Sequence, residues 1–205
     1  MPRTITARGK QRGSPGGGTI NIRPQERSII VTQPGNRSAP TLQPGDRFVH
    51  TDPLDPLVAP LLEDLEREYD GRYGTMFGEP AAAEISRYPA EAFTAPGGTF
   101  ALLLRGGAAI SGGAFMTIDE STVEVKRMWT HVDHRGQGLA RLVLAELEAE
   151  ARRRGFRTVV LSTGPRQPEA VRLYLATGYT PLFDPALSAE AIVIHSFTKD
   201  LEGAA

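Results

Sequence analysis

Gly136 and Gly138 stand two residues apart in the run His134-Arg135-Gly136-Gln137-Gly138-Leu139-Ala140-Arg141. A β-branched and apolar stretch, Val123 to Val132, leads into this run, and an amphipathic stretch from Leu139 to about Arg154 leads out of it. A backbone that must turn here from strand to helix, with no Cβ at either glycine, can aim several N–H groups at one point. The first N–H groups of a helix have no partner inside it, and the helix dipole favours negative charge at that end. The turn therefore reads as a cradle for the diphosphate of a nucleotide-type cofactor. It is not a phosphate loop of the nucleoside-triphosphatase type. Nor is it a full dinucleotide fingerprint, whose third glycine is replaced here by Arg141. His131, Asp133 and His134 are near one another but have no partner cluster elsewhere, so they read as loop groups and no metal is expected. The chain has no cysteine, which removes disulfides, thiolate metal sites and a cysteine nucleophile.

The elements that must position this turn follow from periodicity. Leu139, Leu142, Val143, Leu147 and Ala151 repeat at helical spacing, Arg152 to Arg154 complement the dipole, and Gly155 is the expected stop. Thr158 to Thr163 reads as a buried strand, so strand, helix and strand should form a crossover between parallel neighbours. Upstream, Thr99 to Arg105, Ala109 to Ile118 and Thr122 to Val132 are three apolar runs with short connections, which implies an antiparallel meander. Gly112-Gly113 within the second marks a bulge or a point of close packing. Asp46 to Thr51 is a first strand. Pro53 and Pro56 open a helix to about Tyr69, with Asp70 to Gly74 as a loop, and Pro80 to about Tyr88 is a second short helix. The acids Glu63, Asp64, Glu66, Glu68 and Asp70 lie mostly off the apolar stripe, as a solvated face or as the rim of a site for a cationic substrate. Pro168 opens a short helix to Thr177 that Gly178 ends, and Tyr179 to Phe183 and Ile192 to Lys199 are closing strands.

The 205 residues carry a formal net charge of −1 and are 40% hydrophobic, which suits one domain with a substantial core. Residues 1–45 differ in kind. They are rich in Gly, Pro and Arg, with Glu26 the one acid before Asp46, and are expected to be a flexible basic tail, with the domain at 46–205. Ile20 to Val31 has material for one weak hairpin. No apolar run is long enough to span a bilayer and no signal peptide is evident, so a cytoplasmic protein is expected. Near-neutral charge argues against nucleic acid as the main ligand, although a nucleic-acid role acting through the basic tail is an alternative.

Arg135-Gly136-Gln137-Gly138-Leu139-Ala140 matches the signature of Arg or Gln, two residues, Gly, one residue, Gly or Ala. Pro168 to Tyr179 offers a second feature, a short helix with Tyr174 inside and Gly178-Tyr179 at its end. On these segments, and on Glu124 to Thr130, the chain from about Phe48 to Leu201 resembles the GNAT superfamily of acetyl-CoA-dependent N-acetyltransferases. The resemblance implies an α/β (α+β) fold, a mixed, mostly antiparallel central sheet flanked by helices. It implies that the N–H groups of Gly136, Gln137, Gly138, Leu139, Ala140 and Arg141 hold the pyrophosphate of acetyl-CoA, beside Arg135. The backbone of Met128, Trp129 and Thr130 would pair with the pantetheine arm as an added strand. For that, their strand must splay from Thr158 to Thr163. An N–H near Met128 would stabilise the oxyanion, and Tyr174 would protonate the departing thiolate. Glu124, on one strand face with Lys126, Met128 and Thr130, is the candidate base, with Glu120 in reserve. Gln167 stands where many members have a cofactor-contacting Asn. The acceptor would be a small-molecule or peptide amine, with no membrane partner and the homodimer question open. A non-catalytic acyl-CoA-binding domain is the other reading of the same fold.

Overall fold

The computed structural model describes residues 40–76, 78–80 and 83–202. The tail expected at 1–45 lies outside them up to residue 39, as does the hairpin reading. Among the described residues seven strands form one sheet: β1 (Arg47–Thr51), β2 (Gly98–Arg105), β3 (Ala108–Thr117), β4 (Thr122–Thr130), β5 (Thr158–Thr163), β6 (Thr180–Pro181) and β7 (His195–Asp200). Their spatial order is β1-β2-β3-β4-β5-β7-β6, and every neighbouring pair is antiparallel except β4 with β5. This is the mixed, mostly antiparallel sheet expected from the meander and the single crossover.

Two apolar layers cover the sheet. On one face lie α3 (Leu139–Arg153) and α4 (Pro168–Ala176), around Val143, Leu147, Phe115, Val125, Leu161 and Phe197. On the other lie α1 (Ala59–Tyr73) and the 3-10 turns Pro56–Val58 and Ala90–Phe93, around Leu61, Leu65, Phe93, Phe100, Leu102 and Trp129. β2 is buried along nearly its whole length, which explains why it reads as a continuous apolar run rather than an alternating one. α3 buries Leu139, Val143, Leu144, Leu147 and Ala151, the stripe its periodicity demands. It ends in a paired cap: Gly155 N–H bonds to the Arg152 carbonyl at 2.9 Å and Phe156 N–H to that of Ala151 at 3.0 Å. α4 ends the same way. Gly178, at φ +86°, lets Tyr179 N–H reach the Tyr174 carbonyl at 3.0 Å, so the stop that ends this helix also fixes Tyr174.

Local signals misjudge four stretches, one of them the closing strands, which are only Thr180–Pro181 and His195–Asp200. Asp70, Gly71 and Arg72 are helical rather than a loop, because α1 continues to Tyr73. Arg72 pairs with Glu68 at 2.7 Å one turn back and with Glu169 of α4 at 2.6 Å, and these contacts outweigh one helical glycine. The second helix is a single turn, α2 (Ala83–Ser86), and the turn Ala90–Phe93 that buries Phe93 was not legible. β4 stops at Thr130, where the 3-10 turn Val132–His134 replaces the last predicted strand residues. Among the described residues, no helix is long and apolar enough to cross a membrane.

Candidate functional site

β4 and β5 are paired only at Thr122–Val125 with Thr158–Leu161, and from Lys126 onward they part. The cause lies in β3. The register with β4 slips between Gly112 and Ala114, opposite Arg127, whose φ is +58°. One extra residue in β4 bends the strand and moves every later side chain to the other face. Gly112 and Gly113 are needed there: a Cβ on Gly112 would stand 2.7 Å from Leu102 Cδ2, and one on Gly113 2.6 Å from Met128 Sδ. The glycine pair is thus a close-packing point, and the bulge lies across the ladder from it, in β4. It also corrects one expectation. Glu124 and Met128 do not share a face. Met128 packs towards α3, whereas Lys126 turns towards α2, its Nζ 3.5 Å from Glu84.

The parted strands leave a groove of about 450 Å³. Met128, Trp129, Thr130, Arg135, Gly136, Gly138, Leu139, Ala140, Arg141, Gln167 and Tyr174 all line it. Two carbonyls of the opened run already have donors: Trp129 O accepts from Ser111 Oγ at 2.7 Å, and Thr130 O from Arg135 Nε at 3.1 Å. At its end the turn into α3 has Gly136 at φ +78° and Gly138 at φ +77°, and among the described residues no side chain caps the helix. A Cβ on Gly138 would also collide with Pro40, 2.6 Å away. The uncapped first turn is what an anion needs, and no carboxylate sits in it. Arg141 N–H is the exception, since it bonds back to Gly138 O at 3.0 Å. Gln137 does not line the groove. Its Oε1 accepts from Arg105 at 3.1 Å, and Arg105 in turn grips Asp46 at 2.8 Å, holding that carboxyl down at about 2.

Tyr174 is buried, its ring packed against Tyr179 and Phe197 at 5.8 and 5.5 Å. Burial, with the nearby Tyr69 phenol, raises its pKa well above the ordinary 10.0, so it keeps its proton. Tyr69 is itself raised to about 12, by burial first and then by Glu84 and Glu68. Gln167 Oε1 accepts from Thr163 Oγ1 at 2.8 Å and from Tyr73 Oη at 3.3 Å, which ties the loop before α4 to the end of α1. Glu124 lines neither this groove nor its neighbour. It pairs with Lys126 at 3.0 Å. Glu120 is exposed in the turn before β4. His131 Nδ1 accepts from Asp133 N–H, and among the described residues no group of three or more His, Asp or Glu is arranged to hold a metal.

A second cavity of about 370 Å³ adjoins the groove, sharing Tyr69, Lys126, Arg127, Ser162, Thr163 and Gln167 with it. Its own walls include Tyr73, Glu79, Glu84, Ile85, Arg87 and Ile194. Tyr69, Tyr73 and Arg127 were not singled out from the sequence. The available signal was the apolar stripe, which marks Tyr69 only as a core residue. A line of ion pairs, Arg135–Glu68 at 2.7 Å, Glu68–Arg72 at 2.7 Å and Arg72–Glu169 at 2.6 Å, joins the glycine turn to α1 and α4. Each pair is partly exposed and individually worth little, so their effect is to orient these elements.

Comparison with known proteins bears on the family and the fold. Residues 60–179 match the family model described as the acetyltransferase (GNAT) family. An Azospirillum brasilense protein named IAA acetyltransferase is 28% identical over 138 residues, 66% of this chain and 85% of that protein. A Klebsiella pneumoniae structure assigned as an acyl-CoA N-acyltransferase superposes with a TM-score of 0.58 at 26% identity, covering 76% of this chain and 97% of the other. A GNAT family acetyltransferase from Elizabethkingia anophelis, solved with acetyl-CoA bound, superposes with a TM-score of 0.54 at 14% identity, covering 77% and 99%.

Proposed function

Since the chain belongs to the acetyltransferase (GNAT) family, we propose that it moves an acetyl group from acetyl-CoA to a primary amine while both are bound. The observation that supports this most is the groove itself: parted parallel strands, an uncapped helix start at Gly138, and Tyr174 buried in the same space. Acetyl-CoA supplies the activated thioester. The amides of Gly136, Gly138, Leu139 and Ala140 would bind its diphosphate, and the parted edge of β4 would orient its arm. The amine nitrogen attacks the acetyl carbon, an N–C bond forms and the C–S bond breaks. The N–H near Met128 would donate to the carbonyl oxygen as charge gathers there. Tyr174 would give its proton to the departing sulfur, and the nitrogen's own excess proton would leave through water. Glu124, whose direct partner is Lys126, would take it only through such water.

Titration with acetyl-CoA, followed by thiol release over a panel of amines, tests the proposal. The expected result is saturable binding that protects the Gly136–Arg141 turn from hydrogen exchange, and amine-dependent thiol release. Absence of saturable binding, or protection elsewhere, overturns it.

A further inference from the structure

The cavity beside the groove holds three cations, Arg87, Lys126 and Arg127, and two carboxylates, Glu79 and Glu84. Arg87 is paired with both carboxylates, and Lys126 with Glu84 and Glu124. Arg127 differs from the other two. Among the described residues, no carboxylate lies within ion-pair distance of it. Its guanidinium donates one bond to the Ile85 carbonyl at 2.6 Å and lies 4.0 Å from the centre of the Phe93 ring. A guanidinium has five N–H donors, so this half-buried cation keeps spare ones. Burial works against its charge and lowers its pKa, offset only in part by the Tyr69 phenol and by Glu84, and an arriving anion would offset the rest. Its place is also unusual. Arg127 is the one non-glycine described residue with positive φ, at the bulge that opens the groove, and it lines both cavities where they meet.

We propose that the acceptor amine carries a carboxylate close to its nitrogen, and that Arg127, with Lys126 beside it, receives that carboxylate. The planar fork of arginine suits a carboxylate in two-point contact. Tyr69, Tyr73, Ile85 and Ile194 give the same cavity an aromatic and aliphatic wall, and about 370 Å³ is room for a small molecule. The class that fits is a free α-amino acid with an apolar side chain. A polyamine or an amino sugar would instead set positive charge against Lys126 and Arg127. The proposal rests on the acetyl-transfer reading and uses the same step: nitrogen bonds to the acetyl carbon, sulfur leaves and is protonated, and one proton is released to water.

The test is chemical deletion on the substrate. Leucine, methionine and phenylalanine are each compared with their α-carboxamide and their decarboxylated amine, reading thiol release from acetyl-CoA as kcat/KM per unprotonated amine. The acids are expected to exceed their amides by about 30-fold, the scale of a charge-assisted pair. Arg127→Gln should bring that ratio to near one through KM, and Arg127→Lys should keep part of it. Because Arg127 also ties β4 to Ile85, the wild-type ratio decides the class even if Arg127→Gln does not fold. Equal or better turnover of the amides, an unchanged ratio in a folded Arg127→Gln protein, or no turnover in either series overturns the proposal. Acetyl-CoA binding measured on the same preparation separates these results from failure of the acetyl-transfer reading, which alone predicts that binding.

Discussion

The two halves of the candidate site are built from different atoms. The half at the start of α3 is main chain: amides of the first helical turn, glycines that allow the approach, and the stretch of β4 from which β5 has parted. The half beside α1 and α2 is side chain: Tyr69, Tyr73, Glu84, Lys126, Arg127 and Ile194, gathered from four separate stretches of sequence. A main-chain site depends on conformation and tolerates most side-chain changes that leave the turn intact. A side-chain site changes its preference with each substitution.

Four variants would break or sharpen that contrast. Gly138→Val should do the most damage, because it places a β-branched residue at φ +77° and drives a Cβ into Pro40. Calorimetry should show acetyl-CoA affinity lower by about 100-fold, ~3 kcal/mol, which is the scale of forced left-handed strain. Tyr174→Phe keeps the ring packing against Tyr179 and Phe197, so near-native melting is expected, with kcat lower by about 100-fold and acetyl-CoA affinity unchanged. The wild-type pH profile bears on the same residue. Because the Tyr174 pKa is raised above 10.0, its acid form persists to higher pH, so activity should rise with amine deprotonation and show no falling limb below 10.0. A falling limb at mildly alkaline pH would assign the proton to another group. Glu124→Gln should lower kcat by about tenfold and steepen the loss at lower pH, where more of the amine is protonated. An unchanged profile would leave Glu124 only its ion pair with Lys126. Gln137→Ala should have the smallest effect, within about threefold on acetyl-CoA affinity, the scale of a lost surface contact. Its side chain faces Arg105 rather than the groove. A large loss there would mean that the turn works through side chains after all.

Legibility followed the same divide. Apolar runs bounded by turns located β2 to β5, and helical spacing located α3, to within a residue or two, and Gly155 and Gly178 stop their helices in the paired geometry expected of them. Gly112-Gly113 announced a bulge, but not that the inserted residue across the ladder would be Arg127 and would turn Met128 away from Glu124. Nor did Asp70-Gly71-Arg72 show a helix, since the partners that hold it, Glu169 and the loop at Arg166, lie far along the chain.

What the sequence by itself determined was the glycine turn, the strand and helix that bracket it, and the crossover that makes β4 and β5 parallel. These depend on neighbours within a few residues, where backbone sterics and periodicity decide. Only the tertiary structure decided where β4 parts from β5, the burial that raises the Tyr174 pKa, and the position of Arg127 beyond ion-pair distance of any carboxylate among the described residues. Each of these depends on which distant surfaces meet, and residue types in order along the chain do not specify that.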